Sequence, residues 1–585
     1  MEFLTLSDTA APAAIAAKPA PLSNDDGNGR SLAKNNTTTW PVALILWLGT
    51  FLVFAAHGAW PTPDSNETHY LGKAKHHWDP VWGAGDFFLE SVDAHQIFYW
   101  AFGWTTQFLP LTVVAWLGRI IIWAGLAAMW QRLTRSVLGK PDWGPLAAAL
   151  FVLLSERLHM AGEWVIGGVE AKGFAFIFVW YALAEITAGR WRWSFAWLGL
   201  ASAFHVLVGG WATFAVLVTW CISGRKQAGI TVIGPSLLLG GILALPSLWW
   251  GYALTRGVDP ATVAQANQIY VVERLPHHLY PPSIPVEMIW RHLGLIAGTA
   301  LLTLAALALP LRGAPYLEQQ MRRPTRDIVS AKRALNPADD GLKTLAIFTA
   351  VCVFIFACGF LWCYLFAEQP ERLFALLRLY WFRSSDAFVP LLGAFAVWRF
   401  IDKLAAWRTG WAWLPMIAVS GAVVWDLAAQ VAHWPFDVPG IHAARTIPRP
   451  EDKENFSSAD WQDLCDWIAK NTPPDARYLT PRVGVTFKWH TGRAEVVTSK
   501  DLPQDAASIV RWWAMLNALH AHPVEEQQET RWKKSFAAWG YEGMKQLSRW
   551  YGAEYIVVHK RSTVPRLSEK PLYENESFAL YHFPK

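Results

Sequence analysis

The sequence predicts an all-α polytopic membrane domain followed by a small soluble α/β domain. Apolar runs recur from Pro41 to about Ala432, separated by short polar links, whereas Trp434 to Lys585 has the composition of an ordinary soluble domain. Hydrophobic residues make up 53% of the 585-residue chain and charged residues 17%. The 37 tryptophans fit the same reading, because indoles favour the membrane–water interface. Length alone would predict several soluble domains, but the apolar runs override it.

Residues 1–40 are rich in Ala, Pro, Ser, Asn and Thr and lack a basic segment followed by an apolar one. They read as a disordered cytoplasmic tail, with Pro41 to Trp60 an uncleaved signal-anchor. A transmembrane domain over 41–432 then threads eleven spans: 41–60, 111–130, 143–158, 171–187, 193–207, 208–223, 230–253, 290–311, 343–366, 386–401 and 411–430. Several are shorter than the ~20 residues of a perpendicular crossing. The pair at 193–223 is read as two helices split at Gly209-Gly210. Fusing them would put Arg190/Arg192 and Arg225/Lys226 on opposite sides, against the preference of basic links for the cytoplasm.

With the N-terminus inside, every basic link falls inside, including 312–343 with seven Lys/Arg against four Asp/Glu. The large first outer loop, 61–110, carries six Asp/Glu and only Lys73 and Lys75 between 61 and 95. The threading leaves residues 433–585 extracytoplasmic. Because the positive charge lies in these links, the net charge of +5 does not point to nucleic acid. Four of the five cysteines lie in or beside apolar runs, which predicts free thiols rather than a disulfide framework.

The unusual polar residues collect on the outer side. The first loop holds Asp64, Asn66-Glu67-Thr-His69-Tyr70, Asp86 and Asp93-Ala-His95. The second holds Glu163, Glu170 and Lys172, the third His205, and the fifth Arg378 and Arg383. Ionisable groups at membrane depth cost roughly 2.5–3.5 kcal/mol each, so they normally face a protein-lined cavity and often carry function. Plainer roles exist for each. Asp64 and Glu67 read equally as solvated loop carboxylates, Glu170 and Lys172 as a structural ion-pair network, His205 as a helix-packing residue, and Arg378 and Arg383 as interfacial snorkels. His277-His278 lacks the spacing of a helical zinc pair.

A carboxylate motif directly after the first span, about ten further spans and an outer C-terminal domain together resemble the C-type (GT-C) polytopic glycosyltransferases. Asn66-Glu67-Thr-His-Tyr70 is similar to their Asp-Glu-x-x-Tyr pattern with Asn in place of Asp. The resemblance implies a bacterial inner-membrane enzyme that takes a sugar from a polyprenyl-phosphate carrier to an acceptor it does not specify. It implies Glu67 as general base, with Asp64 and Asp86 as further catalytic candidates. Lys172, Glu170, His205, Arg378, Arg383, Tyr70 and His69 are then substrate-binding candidates. Arginine matches phosphate oxygens in bidentate fashion. Some members use a divalent metal and others none, so the metal stays open. A transporter or flippase of a lipid-linked or anionic solute, and a non-catalytic platform with the same fold, are the alternatives; Asn66 keeps the last in play.

In the soluble domain, Trp461 to Ile468 shows the spacing of an amphipathic helix, while Arg477–Thr480, Ala494–Val497 and Glu554–Val558 read as strands.

Overall fold

The computed structural model of the chain describes residues 39–309, 337–407, 409–431, 457–522, 531–533, 535–560 and 567–584. The predicted N-terminal tail and most of the basic 312–343 link lie outside the described residues. Each of the eleven apolar runs is helical. Among the described residues, seven helices are long and apolar enough to cross a membrane: Trp40–Gly58, Leu111–Leu138, Val206–Gly224, Ile230–Ala253, Val286–Ala308, Pro337–Leu365 and Gly410–Val431. Seven qualify by length and composition among the described residues, so the eleven spans read from the sequence are not all matched by helices of that kind. Gly144–Leu158, Ala171–Thr187 and Ser194–Phe204 are short, and Arg383–Trp407 carries charges at both ends, Arg383 and Asp386 at one and Arg399, Asp402 and Lys403 at the other.

The helix ends follow local chemistry. Leu111–Leu138 stops at Gly139, whose φ of +71° is a left-handed cap that favours glycine. The break within 193–223 falls at His205, not at Gly209-Gly210. His205 is extended (φ −148°, ψ 102°), and its Nδ1 accepts from the backbone N–H of Val208 at 3.3 Å. The chain bends so sharply there that a Cβ on Gly209 would lie 2.2 Å from the backbone nitrogen of Ser202. A Cβ on Gly199 would likewise meet Gly240 O at 2.2 Å, so two helices touch backbone to backbone, as small residues permit within membranes.

The loop at 61–110 is folded. It forms helices over Glu67–Trp78, Phe87–Glu90 and Gln96–Ala101. It shares one end of the bundle with the C-terminal domain. At the opposite end the basic links are tied by buried pairs: Arg399 Nη2 and Lys403 Nζ lie 2.8 and 2.7 Å from the two oxygens of Asp339.

The C-terminal domain carries a five-stranded mixed sheet in the order β2-β1-β3-β5-β4. Its strands are β1 Arg477–Leu479, β2 Ala494–Glu495, β3 Tyr555–His559, β4 Tyr573–Glu574 and β5 Phe578–His582. β1 runs parallel to β2 and β3, and β5 runs antiparallel to β3 and β4. The predicted strands match β1, β2 and β3, and the predicted helix lies within Ser458–Asn471. The helices Phe487–Thr491, Ala506–His520 and Gly540–Tyr551, the 3-10 turn Phe536–Trp539 and the antiparallel pair β4–β5 are its other described elements.

A buried lysine joins this domain to the first loop. Lys488 Nζ lies 3.2 Å from Asp86, 2.6 Å from Glu495 and in direct contact with Asp501. Asp86 also accepts from the backbone N–H groups of Leu89 and Glu495, at 2.9 and 3.0 Å. One ammonium cannot neutralise three carboxylates. Burial, with Asp501 and Asp86 alongside and only partly offset by Lys488, pushes the Glu495 carboxyl from 4.5 up to about 8. The folded chain keeps a proton that the unfolded chain has released, so this group's contribution to stability falls as pH rises from about 4.5 through about 8. Thermal unfolding followed across that window should show declining stability in the wild type and a flatter profile in Glu495→Gln. Equal slopes would reject the assignment.

Candidate functional site

The motif after the first span places its two residues in different environments. Glu67 opens the helix Glu67–Trp78 and is fully buried. Arg119, from the Leu111–Leu138 helix and also fully buried, donates through Nε and Nη2 to the two Glu67 oxygens, each at 2.7 Å. Val169 N–H and Asp64 N–H donate to the same carboxylate at 2.9 and 2.7 Å. Arg119 Nη1 donates to Trp60 O at 2.5 Å. A carboxylate so engaged is a fastener. Glu67 is not on the cavity wall, and its two oxygens are engaged by the Arg119 guanidinium and two backbone N–H groups. Asp64 accepts from the backbone N–H groups of Ser65 and Gly168, and it too is off the wall. Asp86 caps a helix and pairs with Lys488, in the contact between loop and soluble domain.

Asn66, by contrast, faces a cavity of about 980 Å³ between the helix ends and the soluble domain. All seven predicted substrate-binding residues line it: His69, Tyr70, Glu170, Lys172, His205, Arg378 and Arg383. Arg274 and Lys500 join them, so five cations face one carboxylate, Glu170, among the described lining residues. Behind this wall Glu163 lies 3.1 Å from Lys172 Nζ and 3.2 Å from Arg383 Nε, close enough to offset charge but without hydrogen-bond alignment. Asn66 links the parts of the site: its Nδ2 donates to Glu170 at 2.9 Å, and its Oδ1 accepts from Lys500 Nζ at 2.7 Å.

Aromatic rings brace the arginines. Arg378 lies 4.9 Å above the Tyr270 ring and donates to Asn267 Oδ1 and Gln504 O at 2.9 and 2.7 Å. Arg383 lies 3.9 Å above the Tyr380 ring. Tyr380 has φ of +59°, a left-handed backbone that costs a bulky residue about 1–3 kcal/mol. Its hydroxyl shares a 2.7 Å hydrogen bond with that of Tyr270, which holds both rings.

Two further residues emerge from the first loop. Asp93, 2% exposed, accepts at Oδ1 from His95 N–H at 2.7 Å and from His95 Nδ1 at 3.0 Å. Lys73 Nζ and His69 Nε2 lie 4.0 Å from its other oxygen. Burial alone would raise the Asp93 carboxyl, but His95, Lys73 and His69 outweigh it and hold it well below the usual carboxylate range. Burial lowers the His69 imidazole to about 3, against a smaller upward pull from Asp93. His95 lines the cavity. The signal in the sequence was the bare Asp93-Ala-His95 triplet, which lacks the spacing of a recognised motif. Among the described residues, no group of three or more His, Cys, Asp or Glu side chains has the arrangement of a metal site.

Removing one half of a buried ion pair leaves an unpaired charge and costs about 3–5 kcal/mol. Arg119→Ala should therefore lower the thermal unfolding midpoint of the detergent-solubilised protein sharply. Glu67→Gln, which leaves the buried Arg119 guanidinium without its counter-charge, should lower it as well. An Arg119→Ala protein as stable as wild type would remove the pair from its fastening role.

A family described as Domain of unknown function (DUF6798) matches residues 459–519. That stretch includes β1, β2, Lys488 with Glu495 and Asp501, and Lys500 and Gln504 at the cavity rim. No curated protein matches the chain.

Proposed function

We propose that this protein is a membrane glycosyltransferase that takes a sugar from a polyprenyl-phosphate carrier, on the extracytoplasmic face of a bacterial inner membrane. The observation that carries the reading is the cavity's charge: Lys172, Arg274, Arg378, Arg383 and Lys500 against Glu170. An excess of cations in a site partly shielded from water favours an anionic ligand, and arginine and lysine together suit a phosphate. The cavity is lined in part by ends of the apolar helices, and its 980 Å³ is at the upper end of ligand-site volumes. Developing charge on a departing polyprenyl phosphate would be stabilised by the same cations. Asn66 favours a second reading, a platform that binds the carrier without transferring its sugar, because an amide in the motif's first position cannot accept a proton.

Wild-type protein in nanodiscs should retain a long-chain polyprenyl phosphate, measured by native mass spectrometry. Lys172→Met and Arg378→Met should each weaken retention roughly 10- to 100-fold, as the loss of a charged hydrogen bond of ~1.5–3 kcal/mol predicts. Retention of a neutral polyprenol at equal strength would reject phosphate recognition. Reporter fusions at Arg326 and Asp501 should give opposite compartment signals, and the same signal at both would reject the proposed orientation.

A further inference from the structure

We propose that the carrier's polyprenyl chain lies outside the charged cavity, in an apolar groove on the Ile230–Ala253 helix that leads into it; this rests on the reading of the ligand as a polyprenyl phosphate. The helix is long and apolar enough to cross a membrane. Along it runs a groove lined by Gly234, Leu237, Leu238, Gly241, Ile242 and Leu245. About one turn further on, Leu248, Gly251 and Tyr252 of the same helix line the cavity.

Helical spacing joins groove and cavity. Positions 234, 238, 241, 245, 248 and 252 follow one another at intervals of three or four, so they share one face of the helix. At a rise of 1.5 Å per residue that face runs for about 27 Å, close to the ~30 Å of a bilayer's hydrocarbon core. Leu238, Leu245, Leu248 and Tyr252 are all exposed, so the described residues leave the face uncovered.

The depth of the groove comes from glycines that the protein's own packing does not require. Gly240, on another face of this helix, has a plain reason to be glycine: a Cβ there would lie 2.2 Å from Phe195 O. A Cβ on Gly234, Gly241 or Gly251 would meet nothing within 4 Å. Glycine is a poor helix former, and in membrane helices small residues usually mark a close neighbour. Here the neighbour that fits is a ligand chain.

The two ends of the face decide which chain. The cavity it enters carries Lys172, Arg274, Arg378, Arg383 and Lys500, whereas the groove has no charged residue. An anionic head on one long hydrocarbon tail matches that order. A soluble anion would leave the groove empty, and a furrow on one helix face suits a single chain better than the two of a phospholipid.

The test is native mass spectrometry of full-length protein in nanodiscs, with a long-chain polyprenyl phosphate, geranyl phosphate and phosphatidylglycerol as probes. Gly241 and Gly234 line the groove and not the cavity. Gly241→Trp and Gly234→Trp should each weaken retention of the long-chain phosphate roughly 10-fold, as lost contact with about two methylene groups predicts. Retention of geranyl phosphate should stay unchanged. Leu239→Trp, equally bulky and on the opposite, exposed face of the helix, should change neither. Equal losses in the glycine variants and Leu239→Trp, or no loss in any, overturn the groove and leave phosphate recognition standing. Geranyl phosphate lost along with the long-chain phosphate also overturns it, since the short chain does not reach Gly234. Phosphatidylglycerol held as firmly as polyprenyl phosphate, and released by the same substitutions, overturns the polyprenyl assignment in favour of ordinary membrane lipid. A wild type that retains no polyprenyl phosphate overturns the carrier reading and the groove together.

Discussion

The bidentate contact between Glu67 and Arg119 is the constraint on which the site depends. Both side chains are fully buried, and each joins a polar loop to an apolar helix where water cannot serve either. Isolated charges at that depth cost roughly 2.5–3.5 kcal/mol each. The fork of the guanidinium, together with Val169 N–H, Asp64 N–H and Trp60 O, satisfies both groups. With Glu67 held, the start of its helix is fixed in rotation. Asn66, His69, Tyr70 and Lys73 then follow at helical spacing on the side toward the cavity and Asp93.

The soluble domain closes the site by two kinds of contact. Lys488 draws together Asp86 of the first loop with Glu495 and Asp501, and Asp86 accepts from the β2 backbone. At the cavity itself Lys500 reaches Asn66, while Gln504 meets His95 through its amide and Arg378 through its carbonyl. The binding wall is therefore composite: helix ends supply most cations, the first loop supplies Asn66 and His95, and the soluble domain supplies one more cation. Glu163 and Glu170 relieve part of the repulsion between Lys172 and Arg383. The excess that remains on the wall is what makes an anion the fitting guest.

All seven substrate-binding candidates line the cavity, and for those beside apolar runs this follows from the energetics of burial. A charge such as Lys172 or Arg383 near a membrane span has few places to go, and a shared protein-lined cavity is the commonest. The three carboxylates chosen as catalytic do not line it. Loop carboxylates look alike in a sequence, and their partners are remote along the chain. Arg119 lies 52 positions from Glu67, and Lys488 belongs to a different domain from Asp86.

By itself the sequence determined the elements whose physics is local. The apolar runs became helices, and the helix periodicity and β-rich runs of the C-terminal domain became its first helix and β1 to β3. Tertiary structure decided how many helices are long enough to cross, where the 193–223 pair breaks, and which acidic groups are fasteners. Helix length depends on where a neighbouring backbone forces a turn, as at His205 against Ser202. A carboxylate's role depends on which distant cation or N–H group occupies its lone pairs. Neither is encoded in local composition, because both arise from contacts between segments far apart in the chain.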